Sequence, residues 1–321
     1  MGAIGGYAPA VSTDHIRPAT RDDLPDILRV CGEALGWSDP SFDEAVFRWK
    51  HVDNAFGPSF LLVSESDDGI NAVRPMMRWR FRSGTEVVHA VRAVDTATHP
   101  SAQGRGLFTQ LTTEAIRELD GDADLVFNTP NDKSRPGYLK LGWQEYGRIA
   151  FGVRFAGVRG VRRSIANRTP ATKTSIITPS LGISIDDALS QLPDFSARPF
   201  ATAWTTDHTA DTLRWRFAAG PITYRAVPTD AGYLIVRARR RGDAVELVVA
   251  HQIGAASPRS LRSVLAETMN AVGAHHALTP TNFSGAITTS LVGPVLTMRT
   301  IGSLDAVPQP IDWSPGDIEL F

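Results

Sequence analysis

The stretch that decides the fold runs from Val91 to Trp143. It opens Val91-Arg-Ala-Val-Asp95-Thr-Ala-Thr98-His-Pro100-Ser-Ala-Gln103-Gly-Arg-Gly106-Leu-Phe108, continues as a helical pattern, and closes on Asp124-Leu-Val-Phe-Asn128 and a segment from Asn131 to Trp143. The first eight residues predict a strand, stopped by Pro100. Gly104 and Gly106 leave backbone N–H groups uncovered just where a helix begins and its first amides lack intrahelical partners. Amides converging on the positive end of a helix favour an anion, a phosphate or pyrophosphate above all. Asp124 to Asn128, a short apolar run between polar residues, reads as a buried strand.

Two familiar nucleotide loops are excluded. The dinucleotide fingerprint needs a third glycine where Thr109 stands, and the Walker pattern is absent. The loop instead resembles the acyl-CoA loop of the GNAT superfamily of N-acyltransferases, Q/R-x-x-G-x-G/A, with Gln103, Gly106 and Phe108 at those positions; Phe108 departs from the small residue usual there. Asn131, Ser134, Tyr138, Gly142 and Trp143 likewise resemble the superfamily's N-x-x-A/S-x-x-x-Y-x-x-x-G-F/Y segment. The resemblance implies a CoA site made by Gln103, Gly104, Arg105, Gly106, Leu107 and Phe108, closed by Asn131 and Ser134. It also implies that the strand edge Thr96, Ala97 and Thr98 takes the pantetheine arm where two central strands part.

At 321 residues the chain suits two domains of about 150 residues each. A net charge of −1 gives no global attraction to nucleic acid or an anionic membrane, so neither is expected as a partner. The single cysteine, Cys31, leaves no internal disulfide and fits a cytoplasmic, reducing compartment. No apolar run is long enough to span a bilayer, and no cluster of ligands predicts a metal: His275 and His276 have no carboxylate or cysteine at ligand spacing.

Taken in order, residues 1–14 are expected to be a loose tail and 15–155 an N-terminal domain. Within it, Ile16 to Thr20 predicts a strand, Arg21 to Val30 a helix, and Ser41 a cap on a second helix through Glu44. Asp67-Asp68-Gly69 turns one strand into the next. In the superfamily the second helix borders the acceptor, which makes Trp37, Trp49 and His51 acceptor candidates beside a plain core role. Residues 156–178, rich in arginine, read as a basic connector. From 179 to 321 the pattern weakly repeats: Asp211-Thr-Leu-Arg-Trp215 echoes Ala45-Val-Phe-Arg-Trp49, Ala244 to Gln252 stands for the strand before the loop, and Ser257 to Val272 for the helix after it. Pro258 and the lack of glycine mark the second loop as one that has lost its site. The expected fold class is therefore α/β (α+β): two GNAT-like domains, each with a mixed, mostly antiparallel sheet flanked by helices. The layout is similar to tandem GNAT acyltransferases, and the closing Asp312 to Phe321, which looks like the endings of some large relatives, either folds back on the first domain or frays as a tail.

By this resemblance the protein is expected to be an acyl-CoA-dependent N-acyltransferase, with acetyl-CoA or another acyl-CoA as co-substrate. The acceptor is a primary amine of a small molecule, an amino sugar or antibiotic-like metabolite among the candidates. Tyr138 is the candidate acid for the leaving thiolate, since a phenol holds its proton at neutral pH, and an amide near Ala97 or Thr98 meets the oxyanion. Asp95 is the candidate base, with a pKa raised by burial; the alternative is that it hydrogen-bonds nearby backbone. A CoA-binding scaffold without catalysis and an O-acyltransferase stand as alternatives, and a monomer or a homodimer as the assembly.

Overall fold

The computed structural model describes residues 14–167, 169–192 and 203–319. Of the sequence expectations, the tail before Asp14, Arg168 of the basic run, and the final Leu320 and Phe321 lie outside the described residues. The elements are β1 (His15–Pro18), α1 (Leu24–Leu35), α2 (Pro40–His51), β2 (Phe60–Ser66), β3 (Gly69–Ser83), β4 (Glu86–Ala93), β5 (Ala97–Thr98), α3 (Leu107–Glu118), β6 (Leu125–Asn128), α4 (Arg135–Lys140), β7 (Gln144–Arg148) and β8 (Phe151–Phe155). The second half continues with α5 (Gly157–Ala166), α6 (Ile185–Ser190), β9 (Thr205–Thr206), α7 (Ala210–Phe217), β10 (Arg225–Thr229), β11 (Gly232–Arg241), β12 (Ala244–Ile253), α8 (Pro258–Ala271), β13 (His276–Thr279), β14 (Ile287–Thr289), β15 (Val295–Thr300) and α9 (Pro315–Ile318).

Two mixed, mostly antiparallel sheets result, as expected. The first runs β1-β2-β3-β4-β6-β15-β7, with β5 and β9 also pairing β3; the second runs β10-β11-β12-β13-β8-β14. Each contains one parallel neighbour pair in the path, β4 with β6 and β12 with β13. From β2 and β10 onward the two orders match position for position, β1 having no counterpart strand, and each sheet holds one strand from the other half. β15, from the end of the chain, lies between β6 and β7 in the first sheet, with Thr297 opposite Asn128 and Val295 opposite Arg148. β8, from the first half, lies between β13 and β14 in the second, with Val153 opposite both Leu278 and Ile287. A sequence boundary at residue 155 therefore assigns β8 to the half in whose sheet it does not pair.

Alternation along β3 sorts the cores of the first half. Ala72 and Met76 join Leu107 and Leu111 of α3 and Tyr138 of α4 on one face. Val73 packs on the other with Ile27, Val30 and Cys31 of α1 and Phe47 of α2. Further along that same face, Met77, Trp79 and Phe81 meet residues of the second half, Trp215 and Trp313.

The repeated tryptophans meet. Trp49 on α2 and Trp215 on α7 stack at 5.5 Å. Each indole N–H donates to the other's backbone carbonyl, at 2.7 Å from Trp49 and 2.8 Å from Trp215. Gly220 approaches Trp49 so closely that a Cβ there would lie 2.9 Å from the ring. Trp49 is thus a hinge of the two halves and is 3% exposed, not an acceptor contact. Two local expectations change as well. The cap of α2 is Asp39, whose side chain accepts from the Phe42 amide, because Pro40 starts the helix ahead of Ser41. The basic stretch after Phe155 is helical over α5, which Gly160 brings against the His275 carbonyl, while Lys173 pairs with Asp43 at 2.9 Å.

Candidate active site

The strand expected from Val91 to Thr98 breaks in the middle. β4 pairs with β3 as far as Ala93 opposite Met76, and β5 resumes with Ala97 opposite Val73. Three residues, Val94 to Thr96, thus face two on β3, and Asp95 takes φ +53°, a left-handed conformation a non-glycine residue adopts only when its surroundings hold it there. β6 pairs with β4 only over Ala90 to Arg92. Past that point the strands part, and the edge of Ala97–Thr98 away from β3 faces no strand among the described residues.

Beyond the bulge comes the glycine loop. Gly104 and Gly106 have φ +81° and +78°, conformations that cost a side-chain-bearing residue about 1–2 kcal/mol. A Cβ on Gly104 would meet nothing within 4 Å, so the surface above it is open. Among the described residues the amides of Gly104, Gly106, Leu107 and Phe108 have no protein acceptor; the first amides of α3 bonded to the loop are those of Thr109 and Gln110, to the Gly106 carbonyl. Residues 103 to 106 are exposed and Leu107 is buried beneath them. Four open amides at a helix start, two of them on glycine, fit a diphosphate. Gln103 donates to the Thr98 carbonyl at 3.4 Å and ties loop to strand, and Arg105 pairs with Asp14 at 2.6 Å. The equivalent loop of the second half is closed: the Ser257 amide donates to Asp230, the Ser257 side chain accepts from the Ser260 amide, and Pro258 has no N–H to offer.

Tyr138 sits on α4 behind this loop, 4% exposed, edge-on to Phe108 at 5.1 Å and tilted against Trp143 at 5.2 Å. Phe108 is accommodated by Gly137, where a Cβ would lie 3.0 Å from the phenyl ring. The unusual residue in the loop is matched by a missing side chain on α4. Asn131 and Ser134 turn inward on each other: the Asn131 side-chain oxygen accepts from the Lys133 and Ser134 amides and the Ser134 hydroxyl, at 3.0, 2.9 and 3.1 Å. They shape the start of α4 and so the height of Tyr138.

Two placements differ from expectation. The bulge turns the Asp95 side chain out of alternation with Ala97 and into a buried cluster, where its carboxylate bonds Lys50 and His51, the latter at 3.0 Å. Burial alone would raise the pKa, but Lys50 and His51 outweigh it and hold Asp95 down to about 2. A carboxylate so placed is a counter-ion, not a base. His51, itself fully buried and bonded to Ser59 at 2.8 Å, completes this cluster and is no acceptor contact; burial lowers its pKa. Trp37 packs on Phe47.

Sequence reasoning passed over Arg74. It lies on β3 between Ala72 and Met76, is fully buried, and donates from Nη1 to Tyr138 Oη at 2.9 Å and to Thr96 Oγ1 at 2.6 Å. Arg74 shares its alternation register on β3 with Arg78, Arg80 and Arg82, and only the flanking Ala72 and Met76 set it apart as core-facing. Of the two accounts of the closing segment, its described part folds back: Arg92 of β4 donates to the Asp317 and Ile318 carbonyls at 2.7 and 3.0 Å, and Arg216 to that of Gly316 at 2.9 Å.

A family model described as an acetyltransferase (GNAT) domain matches residues 15–146. No curated protein sequence matches the chain. Among solved structures, a probable N-acyltransferase from Enterococcus faecalis superposes with TM-score 0.59 at 11% identity, over 90% of this chain and 73% of that one. A GCN5-related N-acetyltransferase from Kribbella flavida gives 0.59 at 14%, over 91% and 72%. Eis1 from Mycobacterium abscessus gives 0.54 at 11%, over 90% and 73%. At such identities these likenesses speak for the fold, and they extend across both halves.

Proposed function

We propose, from the match of residues 15–146 to an acetyltransferase (GNAT) domain model, that the protein transfers the acetyl group of acetyl-CoA to a primary amine of a small molecule by direct attack on the thioester. The observation that carries this reading is the coincidence of open amides at Gly104, Gly106, Leu107 and Phe108 with a buried phenol, Tyr138, aimed through Arg74 at the bulge of β4–β5. A protein that only bound CoA would have no use for a phenol held there.

In this reading the amides of Gly104, Gly106, Leu107 and Phe108 grip the diphosphate, and the free edge of Ala97–Thr98 takes the pantetheine arm by backbone hydrogen bonds. An amide of that edge meets the oxygen of the thioester carbonyl as the amine adds to its carbon. When the C–S bond breaks, the electron pair goes to sulfur and Tyr138 supplies the proton. The amine's own proton passes to solvent. Asp95 serves by holding the bulge, through Lys50 and His51, in the shape that presents the edge.

The test is to incubate the full chain with acetyl-CoA and a panel of primary amines that includes amino sugars and aminoglycosides, following free thiol. Release with at least one amine, lowered about a hundredfold or more in Tyr138→Phe while CoA affinity stays, is the expected result. CoA binding with no release on any amine would identify a scaffold instead.

A further inference from the structure

Arg74 poses a problem of charge. A guanidinium stays protonated at any pH a folded protein meets, and this one is fully buried on β3. Both bonds from its Nη1 go to neutral oxygens, the hydroxyls of Thr96 and Tyr138, at 2.6 and 2.9 Å. Among the described residues no carboxylate lies within ion-pair distance of it, and its Nε and Nη2 have no acceptor. The rings of Phe108 and Tyr138 lie 5.3 and 5.1 Å from its centre, which softens the desolvation without neutralising the charge. A buried, uncompensated cation is costly. Elsewhere in the chain, Lys50 answers Asp95 and Arg239 answers Glu246, while the buried Arg92 and Arg216 are met by backbone carbonyls of the closing segment.

We propose that the missing anion is the phenolate of Tyr138, formed only during turnover. This rests on the acid role given to Tyr138 above. Because Arg74 donates to Tyr138 Oη, the phenol accepts on that side, and its own O–H must point elsewhere. Thr96, at the bulge, accepts the second bond from the same Nη1 and fixes where that nitrogen stands. When the thioester C–S bond breaks, the departing sulfur takes the bonding pair and the Tyr138 proton. The phenolate left behind lies 2.9 Å from a cation already in position, and solvent reprotonates it before the next cycle. Arg74 thus acts through Tyr138, as a positioning residue whose charge is balanced at the step where charge separation is largest. The ground state bears the imbalance, so the stabilisation is realised as the proton leaves.

A double-mutant cycle on the full chain tests this, with acetyl-CoA and the panel amine that releases thiol fastest. Arg74→Gln keeps donors and loses the charge. It should lower kcat about a hundredfold while CoA affinity, read by calorimetry, changes less than about threefold, and Arg74→Gln combined with Tyr138→Phe should be no slower than Tyr138→Phe alone. Arg74→Lys, which keeps the charge, should stay within about tenfold of wild type, and it decides the matter if the Gln variant does not fold. A fully active Arg74→Gln overturns the proposal. So do losses that multiply in the double variant, or a folded Arg74→Lys as slow as Tyr138→Phe, because each assigns Arg74 a role in architecture alone. No release by the wild-type chain, or undiminished release by Tyr138→Phe, would instead sink the acid role itself.

Discussion

Asp95 shows how far a single backbone angle can redirect chemistry. In an unbroken strand its side chain would share a face with Ala97, which is why the sequence offers it as a base. At φ +53° it reaches instead for Lys50 and His51, more than 40 positions back in sequence, and no local pattern encodes that meeting. Removing one partner from a buried ion pair costs about 3–5 kcal/mol, so Asp95→Asn should destabilise the fold by that order, read by urea unfolding at neutral pH. The pH dependence has a definite sign. The carboxyl pKa falls from 3.8 to about 2 on folding, so the unfolded chain binds the proton more readily. The contribution, about 2 kcal/mol, is whole above pH 4 and fades as pH drops toward 2. Unfolding series at pH 5, 3.5 and 2.5 should show a shallower decline in Asp95→Asn than in wild type; identical slopes would deny the pairing. The place of Tyr138 against the loop was legible because its spacing from Asn131 and Gly142 is local. Arg74 was not, since its partners lie 22 and 64 residues away.

At the level of elements, loop and helix were readable because their physics is contained in a few consecutive residues: glycine where φ is positive, proline where a strand must stop. Gly104→Ala and Gly106→Ala should each weaken CoA binding several-fold to tenfold, as about 1 kcal/mol of backbone strain and a methyl group intrude on the amides. Calorimetric titration of CoA measures this, and unchanged affinity would mean the diphosphate lies elsewhere. The same titration should give one CoA per chain, because Asp230, Ser257 and Pro258 close the second loop; a stoichiometry of two would refute that. The interruption between β4 and β5 escaped the sequence, since Val94-Asp-Thr96 differs little from its flanks and only the pairing with β3 exposes the extra residue.

For the molecule as a whole, the exchange of β8 and β15 means that neither sheet is complete within its own half. Residues 15–155 expressed alone should fail to give a cooperative thermal transition, whereas the full chain should unfold in one, by circular dichroism and tryptophan fluorescence together. An independently folding N-terminal fragment would contradict the exchange. Trp49→Ala should cost about 3–5 kcal/mol, because it empties a buried site on one half and leaves the Trp215 carbonyl on the other without its donor. The repeat was visible in Asp211 to Trp215, but the trade of strands was not, because β8 and β15 look like any short apolar run until their neighbours are known.

Two like sheets that each take the strand next to one edge from the other half, around tryptophans that bond reciprocally, have the geometry of a domain-swapped dimer whose protomers share one polypeptide. In a dimer of identical subunits any sequence change strikes both sites at once. Fused in a single chain, one copy is free to drift, provided it keeps lending its strand; the segment from Val295 to Thr300 ties the second half to the first.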